Sequence, residues 1–157
     1  MTTTPVADGR TARSARTRDT IADALLDLLQ QGSLRPTARE IAAHAGVSLR
    51  SVYVHFDDLE DLFCVAATRH FARIAPLVEP IAATGPVAAR ARAVIEQRVR
   101  IYEQLGAVGR ATELHAPESR TLQRLLAEAR GRSRRDLARV FAPELDALAP
   151  TERVQTL

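Results

Sequence analysis

Residues 37–62 read TAREIAAHAGVSLRSVYVHFDDLEDL, and this stretch decides the fold. Thr37 with Glu40 three residues on forms a capping box. The threonine oxygen accepts from the free N–H groups of a first helical turn, and the glutamate reaches back to the cap. Ile41, Ala42 and Ala45 then share one helical face. Gly46 stops the helix by supplying the left-handed conformation of a short turn. Val47 is a buried hinge residue, and Ser48 caps a second short helix that runs to about Phe56. A third helix starts at Asp57, with Glu60 at its capping-box position.

Two short helices joined by a glycine-containing turn suit a helix-turn-helix, in which one helix enters the major groove of DNA and the other braces it. The second helix carries suitable side chains. Ser48, Leu49, Arg50, Ser51, Tyr53 and His55 offer hydroxyls, a guanidinium and rings on the outside, while Val47, Val52 and Phe56 hold the inside. Arg50 is expected to point to base edges and Tyr53 to backbone or a thymine methyl group. Thr37, Ser48 and His55 are expected to serve phosphates.

Thr37, Ile41-Ala42, Ala45-Gly46-Val47-Ser48, Val52-Tyr53 and His55-Phe56, closed by Glu60 and Leu62, resemble the DNA-binding head of the tetracycline-repressor (TetR) family. The resemblance implies an all-α homodimer that represses transcription and leaves its double-stranded DNA operator when a small-molecule effector binds the larger C-terminal domain. Three features depart from the family pattern. Arg50 stands where glycine or a small residue is common, Leu59 where a backbone-contacting lysine is common, and Asp57, Asp58, Glu60 and Asp61 crowd the start of the third helix.

Composition agrees with this class. The chain has 157 residues, is 46% hydrophobic and carries a net charge of +3, enough apolar material for a packed core and a balance that permits nucleic-acid binding. All 22 basic residues are arginine, which favours bidentate contacts to phosphate and guanine. The single cysteine, Cys64, excludes an internal disulfide and a cysteine-built zinc site. No apolar run reaches the length of a membrane span. A cytoplasmic location is expected, with no cofactor and no metal.

Read in order, residues 1–16 form a flexible basic arm that tracks phosphates or is simply solvated. Residues 17–56 form the head, and residues 57–157 a helical ligand-binding and dimerisation domain. In the head, Ile21, Ala24, Leu25, Leu28 and Leu29 make the stripe of a first helix over Thr17–Gln31. The helix from Asp57 runs to about Ala75 on Leu59, Leu62, Phe63, Ala66, Ala67 and Ile74, with His70 amid that face. Pro76, Pro80 and Pro86 punctuate a linker. The longest helix, Pro86–Leu114, sets Val87, Ala91, Val94, Ile95, Ile101, Tyr102, Leu105 and Val108 on one side with Arg98 at the centre. One polar residue in each of two apolar faces is the make-up of a ligand pocket, here with Phe63, His70, Arg98 and Tyr102 in its wall. A further helix over Glu118–Phe141 has a basic exterior, and ELDAL after Pro143 forms one turn. Pro150 opens another helix.

Family members continue into two more long helices at the dimer axis. Without them, apolar flanks around Leu105 and Leu126 are expected to lie exposed, giving a weak or incomplete dimer, mostly monomeric or polydisperse. No catalytic constellation has usable spacing: the four histidines are scattered, and neither a phosphate-cradling glycine loop nor a nucleophile motif occurs. The expectation is a non-enzymatic regulator. Two other classes share the pattern: the helix-turn-helix part of a DNA recombinase, which needs a catalytic domain, and a helical interaction module without DNA binding.

Overall fold

A computed structural model describes residues 9–148; the first eight residues, including the start of the expected arm, and the helix expected after Pro150 lie outside this range. The described residues form seven α-helices and no strand. These are α1 (Gly9–Gln30), α2 (Ala38–His44), α3 (Leu49–His55), α4 (Leu59–Ile74), α5 (Val87–His115), α6 (Arg120–Val140) and α7 (Ala142–Ala147). The all-α expectation is met.

The capping chemistry acts as the sequence implied. Thr37 Oγ1 accepts from the Glu40 N–H, and Glu40 Oε2 accepts from the Thr37 N–H at 2.7 Å, which opens α2. Those bonds, the one from the Thr37 backbone first, hold the Glu40 carboxyl below its ordinary range. Gly46 turns the chain at φ 66°, a conformation that a side chain would strain. Ser48 Oγ accepts from the Ser51 N–H at 3.1 Å and opens α3.

One continuous apolar cluster then ties the helices together. Ile21, Leu25 and Leu29 of α1 meet Ile41, Val52 and Phe56 of the helix-turn-helix and Leu62, Phe63 and Ala66 of α4. The same cluster continues to Val108, Ala111, Leu122 and Leu126 of α5 and α6. Helix α1 is thus the post against which α2, α3, α4 and α5 all lean.

Several boundaries and faces differ from expectation. Helix α1 begins at Gly9, so residues 9–16 are helical rather than part of a flexible arm. Arg18, counted with the basic N-terminal residues, is a structural side chain. It donates to the His55 carbonyl, lies 4.2 Å over the Phe56 ring and approaches Asp61 at 3.6 Å. The cap of α4 is Asp58, whose Oδ1 accepts from the Asp61 N–H at 2.7 Å, in place of Asp57 with Glu60.

The largest correction concerns α5. At Gly106 the backbone leaves the helix, with φ 47° and ψ −135°, so the two halves present different faces. In the first half Arg90, Gln97 and Ile101 point inward. Ile95, Val99 and Tyr102 point outward at 62%, 49% and 69% exposure, which reverses the expected side. Polar partners decide this rotation. Gln97 donates to the Glu79 carbonyl at 2.7 Å, while Arg90 reaches the Gly85 and Val140 carbonyls and both oxygens of Glu144. The exposed apolar surface expected around Leu105 and Leu126 lies elsewhere: Leu126 is buried, Leu105 half-buried, and the open stripe runs along Ile95, Val99 and Tyr102.

Replacing Phe56, which is 2% exposed, by Ala is expected to cost about 3–5 kcal/mol in urea unfolding. Tyr102→Ala, on the open side of α5, should stay within about 0.5 kcal/mol of the parent.

Candidate nucleic-acid interface

The helix-turn-helix presents α3 outward. Val52 is buried at 1%, and Phe56, just past the helix, closes the inside. On the opposite side Leu49, Tyr53 and Val54 stand 39%, 53% and 68% exposed. Arg50 is exposed, and Ser51 and His55 are half-buried at the flanks. The seven side chains named from the sequence therefore belong to one end of the molecule, on α3 and on the caps of α2 and α3.

Hydrogen bonding refines what each can offer. The Thr37 hydroxyl already donates to Glu40 Oε2 at 2.7 Å, so it must leave its cap to donate elsewhere. The Ser48 oxygen accepts within its own cap, which leaves its O–H proton available. The His55 carbonyl is occupied by Arg18, and this bond helps fix the end of α3. Sequence reasoning passed over that supporting role because Arg18 and His55 are 37 residues apart.

The family model described as "Bacterial regulatory proteins, tetR family" matches residues 21–64, which cover most of α1, the helix-turn-helix and the start of α4. The head is that of a tetR-family, DNA-binding transcriptional regulator. No curated protein and no solved structure matches the chain. The tetR match ends where α4 enters the body, so the helices that follow stand on their own geometry.

In that body the four side chains expected to share a pocket are not brought together. Phe63 is buried and packs on the His115 ring with centroids 4.5 Å apart. His70 is also buried, but it lines a different cavity with Arg73, Arg100 and Glu103. Arg98 is half-buried in a third, much smaller recess beside Glu79 and Asp136. Tyr102 points to solvent. The cause is the rotation of α5, whose buried arginine is Arg90 rather than Arg98. Arg90 was invisible to periodicity because its anchors, Val140 and Glu144, arrive from more than 50 positions away or nearly so. Its guanidinium holds the Glu144 carboxyl below the ordinary range, and that carboxylate in turn raises Arg90.

His70 owes its place to the kink. Its Nε2 lies 3.0 Å from the Gln104 carbonyl, next to the break at Gly106, and donates to it in the neutral tautomer that leaves Nδ1 bare. Burial dominates and pushes the imidazole below its ordinary value, against the raising effect of the carbonyls of Gln104 and Leu105. Among the described residues no three His, Cys, Asp or Glu side chains converge as a metal site, and no helix is long and apolar enough to cross a membrane.

The sign of the pH effect follows from the lowered value. Unfolded chains bind a proton at His70 before folded ones do, so stability falls as pH drops below about 6.5 and through the folded value. His70→Gln keeps a donor for the Gln104 carbonyl and removes the titration. Its melting temperature should fall less than that of the parent between pH 7.5 and pH 5, as followed by circular dichroism.

Proposed function

We propose that the chain is a transcriptional repressor that binds its operator through α3, works as a homodimer, and is released by a small-molecule effector. In this reading residues 17–56 carry the DNA contacts and residues 57–157 the regulation and pairing. The observation that carries the proposal is the outward face of α3 in a tetR-type head: its inner side is committed to the core through Val52, while Arg50 and Tyr53 stand free. An unpaired guanidinium on a helix of this placement suits bidentate contact with guanine, and the Tyr53 ring suits a thymine methyl or the sugar-phosphate backbone. Leu49 adds apolar contact, while Ser48, Ser51 and His55 are placed for phosphates, and Thr37 joins them if its hydroxyl leaves Glu40.

A lone seven-residue reading helix makes few contacts, so two copies on half-sites about one helical turn apart supply the affinity. Neither a cofactor nor catalysis is needed for such a role, and action on operators places the protein in the cytoplasm.

Selection from random duplexes should return a palindromic site. Arg50→Ala should bind that site about 1–3 kcal/mol more weakly and lose preference at one base pair per half-site, as read by fluorescence anisotropy. Both proteins should lose affinity as salt rises, with similar slopes if Arg50 reads bases rather than phosphates. An unchanged ratio of selected to scrambled duplex for Arg50→Ala would remove Arg50 from base reading.

A further inference from the structure

A cleft of about 620 Å³ lies between the head and the body. It is distinct from the cavity beside His70 and is walled by three parts of the chain. The start of α2 and the face of α3 contribute Thr37, Ala38, Ile41, Leu49 and Tyr53. The beginning of α4 supplies Leu59, Glu60 and Phe63, and the α5–α6 junction supplies His115, Glu118, Ser119 and Leu122. Its size falls in the range of small-molecule sites, and its walls are mainly apolar with a few polar groups, as such sites require.

The chemistry of the wall narrows the occupant. Phe63 and His115 form a ring wall, 4.5 Å between centroids and tilted by 41°, which suits a flat aromatic body. His115 Nε2 donates to the Leu34 carbonyl at 3.2 Å in the neutral ring, which leaves Nδ1 as an acceptor for a donor on the occupant. Two arginines, Arg35 and Arg39, and two glutamates, Glu60 and Glu118, complete the lining, and among the described residues none of the four is in an ion pair. Their charges balance, so the cleft selects neither an anion nor a cation.

We infer that this cleft binds an uncharged, planar aromatic compound carrying one hydrogen-bond donor, and that its occupancy weakens DNA binding. The coupling rests on the functional reading above, because Leu49 and Tyr53 belong both to the cleft wall and to the proposed DNA face. A compound held between α3 and the α5–α6 junction engages these side chains and restrains the head, so compound and DNA lower each other's affinity by the same factor.

The test uses N-phenyl-1-naphthylamine, an uncharged aromatic dye with one N–H that brightens in apolar surroundings, titrated against the full chain without DNA. Saturable binding of one dye per chain is expected. Leu59→Trp, which fills the cleft, should weaken it at least tenfold. His115→Phe keeps the ring wall but loses the acceptor, and should weaken it about threefold to tenfold. Tyr102→Ser, on the exposed stripe of α5, should leave it unchanged, and circular dichroism reports whether each variant is folded. The sulfonated analogue 1-anilinonaphthalene-8-sulfonate should bind more weakly than the uncharged dye. Dye binding that survives both cleft variants, disappears in Tyr102→Ser, or favours the sulfonate overturns the site. With the selected duplex present, the apparent dye affinity should fall and, reciprocally, dye should raise the dissociation constant of the duplex. Dye binding that is indifferent to DNA overturns the coupling while the site stands. Failure of the chain to bind any duplex overturns the functional reading and the coupling with it, and the cleft is still decided by the dye alone.

Discussion

The burial of one stripe of α1 is the constraint on which the rest of the structure depends. Ile21, Leu25 and Leu29 are each at most 2% exposed, and they face the helix-turn-helix, α4 and α5 together. Neither α2 nor α3 has more than seven residues, too short to persist alone in water. They hold their shape because their caps satisfy the helix ends and because α1 supplies the apolar surface that Ile41, Val52 and Phe56 require. The same stripe reaches α5, so the position of the reading helix and the packing of the body are fixed against a common post.

Arg18 links these layers through a different kind of contact. It sits on α1, covers the Phe56 ring, donates to the carbonyl that ends α3 and approaches Asp61 in the first turn of α4. A guanidinium can do all three because it is flat, permanently charged and rich in donors. Acids at the start of α4 also find a purpose here: Asp58 caps the helix and Asp61 faces Arg18. Lower on the same two helices, Arg69 and Arg73 of α4 meet Asp19 and Asp23 of α1 in a solvent-exposed network. Pairs of this exposure are worth little individually, and their contribution is to register rather than to stability.

The body is governed by its breaks as much as by its helices. Gly106 interrupts α5 and frees carbonyls that His70 then takes up, while Pro117 and Ser119 turn the chain into α6. At the far end Arg90 gathers α5, the end of α6 and α7 around one buried guanidinium. Between that end and the head, the α5–α6 junction forms the back wall of the cleft facing α3. Head and body thus meet across a space lined by both, which is the geometry that lets one report on the other.

The sequence by itself determined the head. Thr37 with Glu40, Gly46 and Ser48 act within four residues of their partners, so local chemistry sets both short helices, and the periodic stripes of α1 and α4 place Leu25, Leu29, Leu62 and Phe63 in the core. The outward side of α3 was legible for the same reason, since burying Val52 leaves Arg50 and Tyr53 no other direction. Only the tertiary structure decided the face of α5. Its apolar residues lie on more than one side, so periodicity alone set Arg98 at the centre and Tyr102 inside. Distant partners chose otherwise: Glu79 for Gln97, Val140 and Glu144 for Arg90, and a left-handed Gly106 that rotates one half against the other. Where a residue's environment is made by its neighbours in the chain, the sequence carries it; where it is made by groups 18 to 54 positions away, the packing does.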